Sequence, residues 1–447
     1  MPKILKMSRK LFIETYGCQM NFSDSEIVGS ILSDDNCVLE KDINEANIIL
    51  INTCSIRENA EIKVFNRLKQ LRHLKKNNPL LIIGVIGCMA ERLKEELLKK
   101  EPSVDLIVGP DAYRDLPKLL KEIDLGGKAV QTLLSEDETY DDILPVRMDS
   151  NGVSAFISIM RGCQNFCTYC VVPYTRGKER SRNPQTIINE AKTLVENGFK
   201  EVTLLGQNVN SYIWKEENES VNFSKLLSLV AEVSPLLRVR FATSHPKDLS
   251  DELIETIAKY KNICKSIHLP MQAGSSGVLK KMNRKYTREW YIDRVNSIKK
   301  IIPNCGLSTD VIAGFCGETE DDHLQTLSLM QEVGFDSAFM FKYSERPDTA
   351  AAKHFENDVP EDVKSRRLEE IIALQQKLSL ESNKKDIGKT FEILVEGQSK
   401  RSKKQLFGRN TQNKVIIFTS SDEKIGDYVN VTVVDCTAAT LIGELGD

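Results

Sequence analysis

The sequence predicts an α/β chain in three parts: a parallel-sheet α/β domain over residues 1–148, an open (β/α)6 barrel over 149–383, and a small antiparallel β-barrel over 384–447. Three observations carry that prediction. Apolar runs rich in Ile, Leu and Val alternate with helical patterns in the first part. Six more strand-like runs alternate strictly with amphipathic stretches in the second. The last part, about sixty residues, shows short alternating strands and turn residues without a helical pattern.

In the first part, "KLFIETYG" (10–17), "NIILINT" (47–53), "LLIIGVIG" (80–87) and "VDLIVG" (104–109) read as strands. Between and after them, "SDSEIVGSILSDD" (23–35), "ENAEIKVFNRLKQLRHL" (58–74), "AERLKEELLKK" (90–100) and "AYRDLPKLLKEI" (112–123) read as helices. That alternation calls for a parallel sheet with both faces covered. "LLSEDETYDDILPVR" (133–147) is acidic and aperiodic and reads as a linker.

The six strands of the second part are "SAFISIM" (154–160), "EVTLLG" (201–206), "RVRFAT" (238–243), "SIHLPM" (266–271), "LSTDVIAGF" (307–315) and "SAFMFKYS" (337–344). A helix at about 361–384 leads out of the barrel. In the third part, "KTFEILVEG" (389–397), "LFGRNTQNKVIIF" (406–418), "GDYVNVTVVDCT" (426–437) and "ATLIGEL" (439–445) read as strands of the closing small barrel.

Composition narrows the function classes. No apolar run reaches the ~18 residues of a membrane span, and the N-terminal stretch lacks the apolar core of a secretory signal. The expected compartment is the cytoplasm, with no membrane contact and a monomer as the default state. The net charge of −3 gives no global signal for nucleic acid, so such contact must come from local basic patches. Eleven cysteines in a chain expected to stay reduced point to metal binding or catalysis rather than disulfides.

Six of those cysteines form two sets of three. Cys163, Cys167 and Cys170 in "MRGCQNFCTYC" (160–170) are spaced C-x3-C-x2-C, on the loop after the first barrel strand. Barrels carry their chemistry at that end of their strands. A closed zinc site wants four ligands. Three thiolates suit a 4Fe-4S cluster with one iron free to bind a small chelating molecule. A zinc site completed by a distant residue remains the alternative on these residues alone. Tyr169 and Phe166 are placed to shield the loop.

"CQNFCTYC" resembles the signature of the radical S-adenosylmethionine superfamily. That resemblance implies that the open iron binds S-adenosylmethionine and that electron transfer yields a 5′-deoxyadenosyl radical. It also raises polar residues at the other strand ends to cofactor-binding candidates: Gln207, Asn208, Ser244, Gln272, Gly314 and Tyr343.

Cys18, Cys54 and Cys88 each directly follow a strand of the first part. Parallel strands end on one edge, where open α/β sheets bind ligands, so residues distant in sequence converge there. They are candidates for a second 4Fe-4S cluster, auxiliary to the first. Three ordinary buried cysteines would be the blander account. Cys37, Cys264, Cys305, Cys316 and Cys436 form no matching set.

The combination resembles the methylthiotransferase family over nearly the whole chain, its last part being similar to the RNA-binding TRAM module. "ETYGCQMN" (14–21) and "YCVVPYTRGKERSR" (169–182) resemble the branch that acts on isopentenyl-adenosine at position 37 of tRNA. The resemblance implies methylthiolation of C2 of that base, next to the anticodon. One S-adenosylmethionine would give a methyl group, a second the radical, and the auxiliary cluster would hold the sulfur. It implies the tRNA anticodon stem-loop as partner, an electron donor such as flavodoxin or ferredoxin, and a sulfur-supply protein. RNA contacts are expected from Arg176, Arg180 and Arg182, and from "KRSKKQLFGR" (400–409) through Lys400, Arg401, Lys403, Lys404, Phe407 and Arg409. The competing readings are methylthiolation of an aspartate of ribosomal protein S12 or of threonylcarbamoyl-adenosine in tRNA, and a non-catalytic, metal-stabilised RNA-binding protein.

Overall fold

The computed structural model describes residues 8–55, 58–148, 151–216, 219–400, 402 and 404–446. The chain divides into two compact units. The first runs to residue 149 and includes 160–164 and 170–182; the second holds 150–159, 165–169 and everything from 183 on.

The first unit is built on a six-stranded sheet. Its strands are β1 (Arg9–Tyr16), β2 (Cys37–Leu39), β3 (Ile48–Thr53), β4 (Ile82–Gly87), β5 (Leu106–Val108) and β6 (Ala129–Gln131), in the order β2-β1-β3-β4-β5-β6. Every neighbouring pair is parallel. β3 and β4 are buried along their whole length, which is why they read as unbroken apolar runs. Their side chains alternate between two cores. Ile48, Leu50, Ile82 and Ile86 pack with Val28, Leu32 and Tyr113 on one face. Ile49, Ile51, Ile83 and Val85 pack with Val64, Leu68 and Leu71 on the other. Each such burial stabilises the sheet by about 1.5–3 kcal/mol. Two short strands, β8 (Met160–Arg161) and β9 (Arg180–Ser181), pair antiparallel in the same unit.

The acidic stretch 133–147 is not a free linker. Tyr140 is 1% exposed, and its hydroxyl donates to the Pro110 carbonyl at 3.0 Å. Arg114 holds Glu138 and Asp142, and Arg147 reaches Glu26 at 2.7 Å. The stretch has no helix or strand, yet Glu138 and Asp142 pair with Arg114, and Glu136 with Lys178, in the same unit.

In the second unit the six barrel strands are β7 (Ser154–Ser158), β10 (Glu201–Leu205), β13 (Arg238–Phe241), β14 (Ser266–His268), β15 (Gly306–Ala313) and β16 (Ser337–Lys342), with a side hairpin of β11 (Ile213–Glu216) and β12 (Glu219–Asn222). They form two parallel three-stranded sheets, β13-β10-β7 and β14-β15-β16. A single bridge from Val239 to Ile263 lies between them in sequence.

The helix Glu361–Lys384 leads to a closed barrel of β17 (Thr390–Gln398), β18 (Gln405–Arg409), β19 (Val415–Thr419), β20 (Tyr428–Cys436) and β21 (Leu441–Leu445). It departs from the expected pattern twice. The run 406–418 is two strands, because the polar turn 410–414 folds back on hydrogen bonds between Asn410 and Lys414. And β19 pairs with β21 in parallel, although the other four neighbour pairs are antiparallel.

Candidate functional site

β1, β3 and β4 are adjacent in the sheet. Cys18, Cys54 and Cys88 therefore stand at the C-terminal ends of three neighbouring strands. Cys18 caps the helix Gln19–Asp34 and Cys88 opens the helix Cys88–Leu93. Cys54 and Cys88 are buried, whereas Cys18 is exposed. The spacing is tight. A Cβ on Gly17 would sit 2.9 Å from the Cys54 Cβ. Gly87 has φ +92°, and a Cβ there would meet the Thr53 carbonyl oxygen at 2.7 Å. A hydrogen bond from Cys54, helped by the charge of Arg176, brings the Cys18 thiol down to about 6. Burial pushes the Cys88 thiol up, against the pull of Arg176. The Cys18 and Cys54 thiols are within hydrogen-bond reach and a buried cation stands at Cys88, a pattern that suits an anionic iron–sulfur group, while no three Cys, His, Asp or Glu side chains among the described residues are already gathered as a metal site.

Arg176 is 3% exposed. Its Nε donates to the Cys88 Sγ at 3.2 Å and its Nη2 to Asp24 at 2.6 Å. Arg161 donates to the other Asp24 oxygen at 2.8 Å, and Arg180 to Asp111 at 2.9 Å. Arg180 and Arg182 are 6% and 5% exposed. The expectation that Arg176, Arg180 and Arg182 contact RNA is thus corrected: these side chains are buried, and Arg176 and Arg180 are spent on internal carboxylates. Sequence gave no local cue, because Asp24 and Asp111 lie 152 and 69 positions away.

The C-x3-C-x2-C loop is shaped by Gly162. Its φ is +81°, and a Cβ would fall 1.8 Å from the Lys178 carbonyl oxygen. In the first unit the Cys163 amide donates to the Gly177 carbonyl at 3.1 Å. In the second, Arg284 Nη1 donates to the Cys167 Sγ at 3.2 Å. Arg284 is 4% exposed. Its remaining partners are the Tyr286 and Tyr169 hydroxyls and the Pro270 carbonyl. No Asp or Glu pairs with it among the described residues. Tyr169 meets Phe315 edge-on at 6.3 Å, while Phe166 is 50% exposed and shields little.

At the barrel strand ends, several buried polar atoms have no hydrogen-bond partner: Gln207 Oε1, both Asn210 side-chain atoms, Ser244 Oγ and His245 Nε2. Buried polar groups are ordinarily paired, so this set fits a polar ligand such as S-adenosylmethionine. Burial holds His245 neutral, its pKa lowered to about 2. Its Nδ1 accepts from the Lys247 amide, which leaves Nε2 as a donor. Asn208 is already committed to Asp248 and the His245 amide. Gln272 sits at φ +63° and bridges to Val311. The Gly314 amide donates to Glu318 at 2.9 Å, at φ +74°. Tyr343 packs on Phe315 at 5.0 Å. Asn210, His245 and Arg284 were not singled out from sequence; "GQNVNS", "ATSHP" and "MNRKYT" contain them.

On the small barrel, Lys400 and Lys404 are exposed and Phe407 is half-buried over Gly397. Arg401 and Lys403 lie outside the described residues. Arg409 corrects a further expectation. It pairs with Glu201 and Glu396, each at 2.7 Å, so its charge is spent inside the second unit rather than offered to phosphate.

Residues 10–109 match the Uncharacterized protein family UPF0004, residues 157–330 the Radical SAM superfamily, and residues 384–445 the TRAM domain. The chain is 59% identical over 438 residues to the tRNA-2-methylthio-N(6)-dimethylallyladenosine synthase of Bacteroides thetaiotaomicron, covering 98% of this chain and 96% of that protein. It is 54% identical over 443 residues to the protein of the same name from Porphyromonas gingivalis, with the same two coverages. Among solved structures, the radical S-adenosylmethionine methyltransferase TsrM from Kitasatospora setae, with cobalamin and a [4Fe-4S] cluster bound, aligns at TM-score 0.58 and 13% identity. The match spans 77% of this chain and 74% of that one. That likeness is one of fold.

Proposed function

Because the chain belongs to the family of tRNA-2-methylthio-N(6)-dimethylallyladenosine synthases, we propose that each of its two cysteine triads holds one 4Fe-4S cluster. The chain is a radical S-adenosylmethionine tRNA methylthiotransferase. It adds a methylthio group to C2 of N6-dimethylallyl adenosine at position 37. C2 carries an unactivated hydrogen that no general base removes. When bound, the clusters and S-adenosylmethionine supply a methyl group, reduced sulfur and a 5′-deoxyadenosyl radical.

The protein's own residues do the holding. Cys18, Cys54 and Cys88 are the ligands of the auxiliary cluster, and Cys163, Cys167 and Cys170 those of the barrel cluster. One observation carries the auxiliary assignment: three thiols end three adjacent parallel strands, with a buried guanidinium on one of them. Gln207, Asn210, Ser244 and His245 offer their unpaired polar atoms to S-adenosylmethionine, and Gly314 lets its backbone approach closely. The domains run 1–148, 149–383 and 384–447. Lys400 and Lys404 supply phosphate contacts and Phe407 a stacking ring. A flavodoxin or ferredoxin donates the electron, a separate protein restores the sulfur, and the enzyme acts as a cytoplasmic monomer. No helix among the described residues is long and apolar enough to cross a membrane.

The test is an anaerobic reaction of reconstituted protein with S-adenosylmethionine, a reductant and tRNA carrying dimethylallyl adenosine. Mass spectrometry should find 2-methylthio nucleoside from wild type and none from Cys167→Ala or Cys54→Ala. Absence of 5′-deoxyadenosine from fully iron-loaded wild type would overturn the reading.

A further inference from the structure

β15 presents two unlike faces. Thr309, Val311 and Ala313 are buried, while Ser308, Asp310 and Ile312 alternate with them and are half-exposed. Register carries the open face across the sheet. His268 pairs with Ser308, and Asp310 pairs with Phe339. The four side chains form a group. The His268 ring contacts the Ser308 hydroxyl at 3.0 Å through Nδ1 and Asp310 at 3.4 Å through Nε2. Phe339 meets the His268 ring edge-on at 5.9 Å.

Phe339 is 56% exposed. Helices cover the outside of such a barrel strand, so the open face is the one turned to the interior. An aromatic ring more than half bared there beside a carboxylate, with its contact to His268 edge-on, leaves much of its surface open to a ligand. Asp310 lies four positions before Gly314 on the same run of chain, and Gln272 bridges to Val311 next to it. The group therefore stands just inside the strand ends proposed to hold S-adenosylmethionine.

We propose that this face is the pocket for the target adenine itself, with Phe339 stacking on the base and Asp310 accepting the N6–H. The inference rests on the tRNA substrate given above. A base must leave its stack to be modified, and a single-stranded base is then held by aromatic stacking and edge hydrogen bonds. An N6-dimethylallyl adenine keeps one N6–H donor, and an ionised carboxylate accepts only. His268, held by Ser308, fixes Asp310 in place. An anchor at N6 leaves C2 unobstructed. It also makes the pocket selective: a base with two substituents on N6 has no hydrogen to give Asp310.

The probes are anticodon stem-loop RNAs. One carries dimethylallyl adenosine at position 37, one an N6,N6-dialkyl adenosine, and one 8-vinyl adenosine, a fluorescent base that keeps its N6–H. Base stacking on an aromatic is worth a factor of roughly 10 to 100 in affinity. Phe339→Ala should raise KM for the first RNA by that order and raise the ratio of 5′-deoxyadenosine to methylthio product. Phe339→Tyr should restore both. Wild type should quench 8-vinyl adenosine fluorescence and Phe339→Ala should not. Asp310→Asn should accept the dialkyl RNA that wild type rejects. Unchanged KM, coupling ratio and quenching in Phe339→Ala, with iron content equal to wild type, overturns the pocket. Failure of wild type to methylthiolate the first RNA instead overturns the substrate reading, and the quenching measurement still judges the pocket.

Discussion

The two cysteine triads proposed as cluster sites are assembled in opposite ways. Cys163, Cys167 and Cys170 sit within eight residues of chain, so a local loop holds their spacing. Cys18, Cys54 and Cys88 span seventy-one, so only the register of β1, β3 and β4 brings them together. Each triad has a buried arginine donating to one sulfur at 3.2 Å, Arg284 at Cys167 and Arg176 at Cys88. Here the resemblance ends. Arg176 shares Asp24 with Arg161, whereas among the described residues Arg284 has, besides the sulfur, only hydroxyls, a carbonyl and the Tyr286 ring for company. An unbalanced buried cation is costly. The sheet triad therefore carries its own counter-charge, and the loop triad relies on the charge of what it binds.

The largest effects would come from splitting the triads. Cys54→Ala should lose about four of about eight irons and all methylthio product, yet still form 5′-deoxyadenosine. Cys167→Ala should lose the other four and form neither. Iron analysis with product chromatography checks both, and equal behaviour of the two variants would break the comparison.

Next is the charge balance. Asp24→Ala leaves Arg176 without a carboxylate and Arg161 with Asp111 alone at 3.6 Å, and should cost about 3–5 kcal/mol, with or without iron. Arg284→Met should leave the iron-free protein as stable as wild type or more so. It should reduce the stabilisation gained on reconstitution. Thermal denaturation of both forms decides it, and an iron-free Arg284→Met protein less stable than wild type contradicts the contrast.

The smallest effect separates the flanking glycines. Gly162→Ala drives a Cβ onto a backbone carbonyl at positive φ, whereas Gly17→Ala first meets the Asn21 side chain. Backbone strain of this kind costs about 1–3 kcal/mol. Gly162→Ala should fall at the upper end and Gly17→Ala below it, by urea denaturation. The reverse order would mean that the sheet triad is the stiffer one.

The placement of both triads was legible in the sequence because each cysteine set follows readable strands. The loop spacing is visible in eleven letters, and the sheet triad needs only the rule that parallel strands end on one edge. The partners were not legible. Arg176 lies in a basic run that invites a phosphate, and its true partner is an aspartate in the first helix. Arg409 sits in a similar run and is neutralised by a carboxylate at the start of β10. Pairing with distant carboxylates, not charge, separates such arginines from Lys400 and Lys404, and that pairing is set by tertiary packing. Likewise, the acidic run 133–147 reads as a linker because its partners, Arg114 and Lys178, lie outside it in the chain. The parallel β19–β21 pair escaped notice because closing a five-stranded barrel is a property of the whole ring and of no single strand.

Arg409 has a wider consequence. Glu201 is fully buried and is held by Arg240 and Arg409, both at 2.7 Å. Arg238 and Arg240 in turn donate to the carbonyls of Arg409 and Asn410. The C-terminal barrel is thus not a detachable cassette. Truncating the chain ahead of it would leave Glu201 with half its counter-ions and two arginines with empty hydrogen bonds. Grafting a foreign RNA-binding module in its place would have to carry an arginine to the same spot.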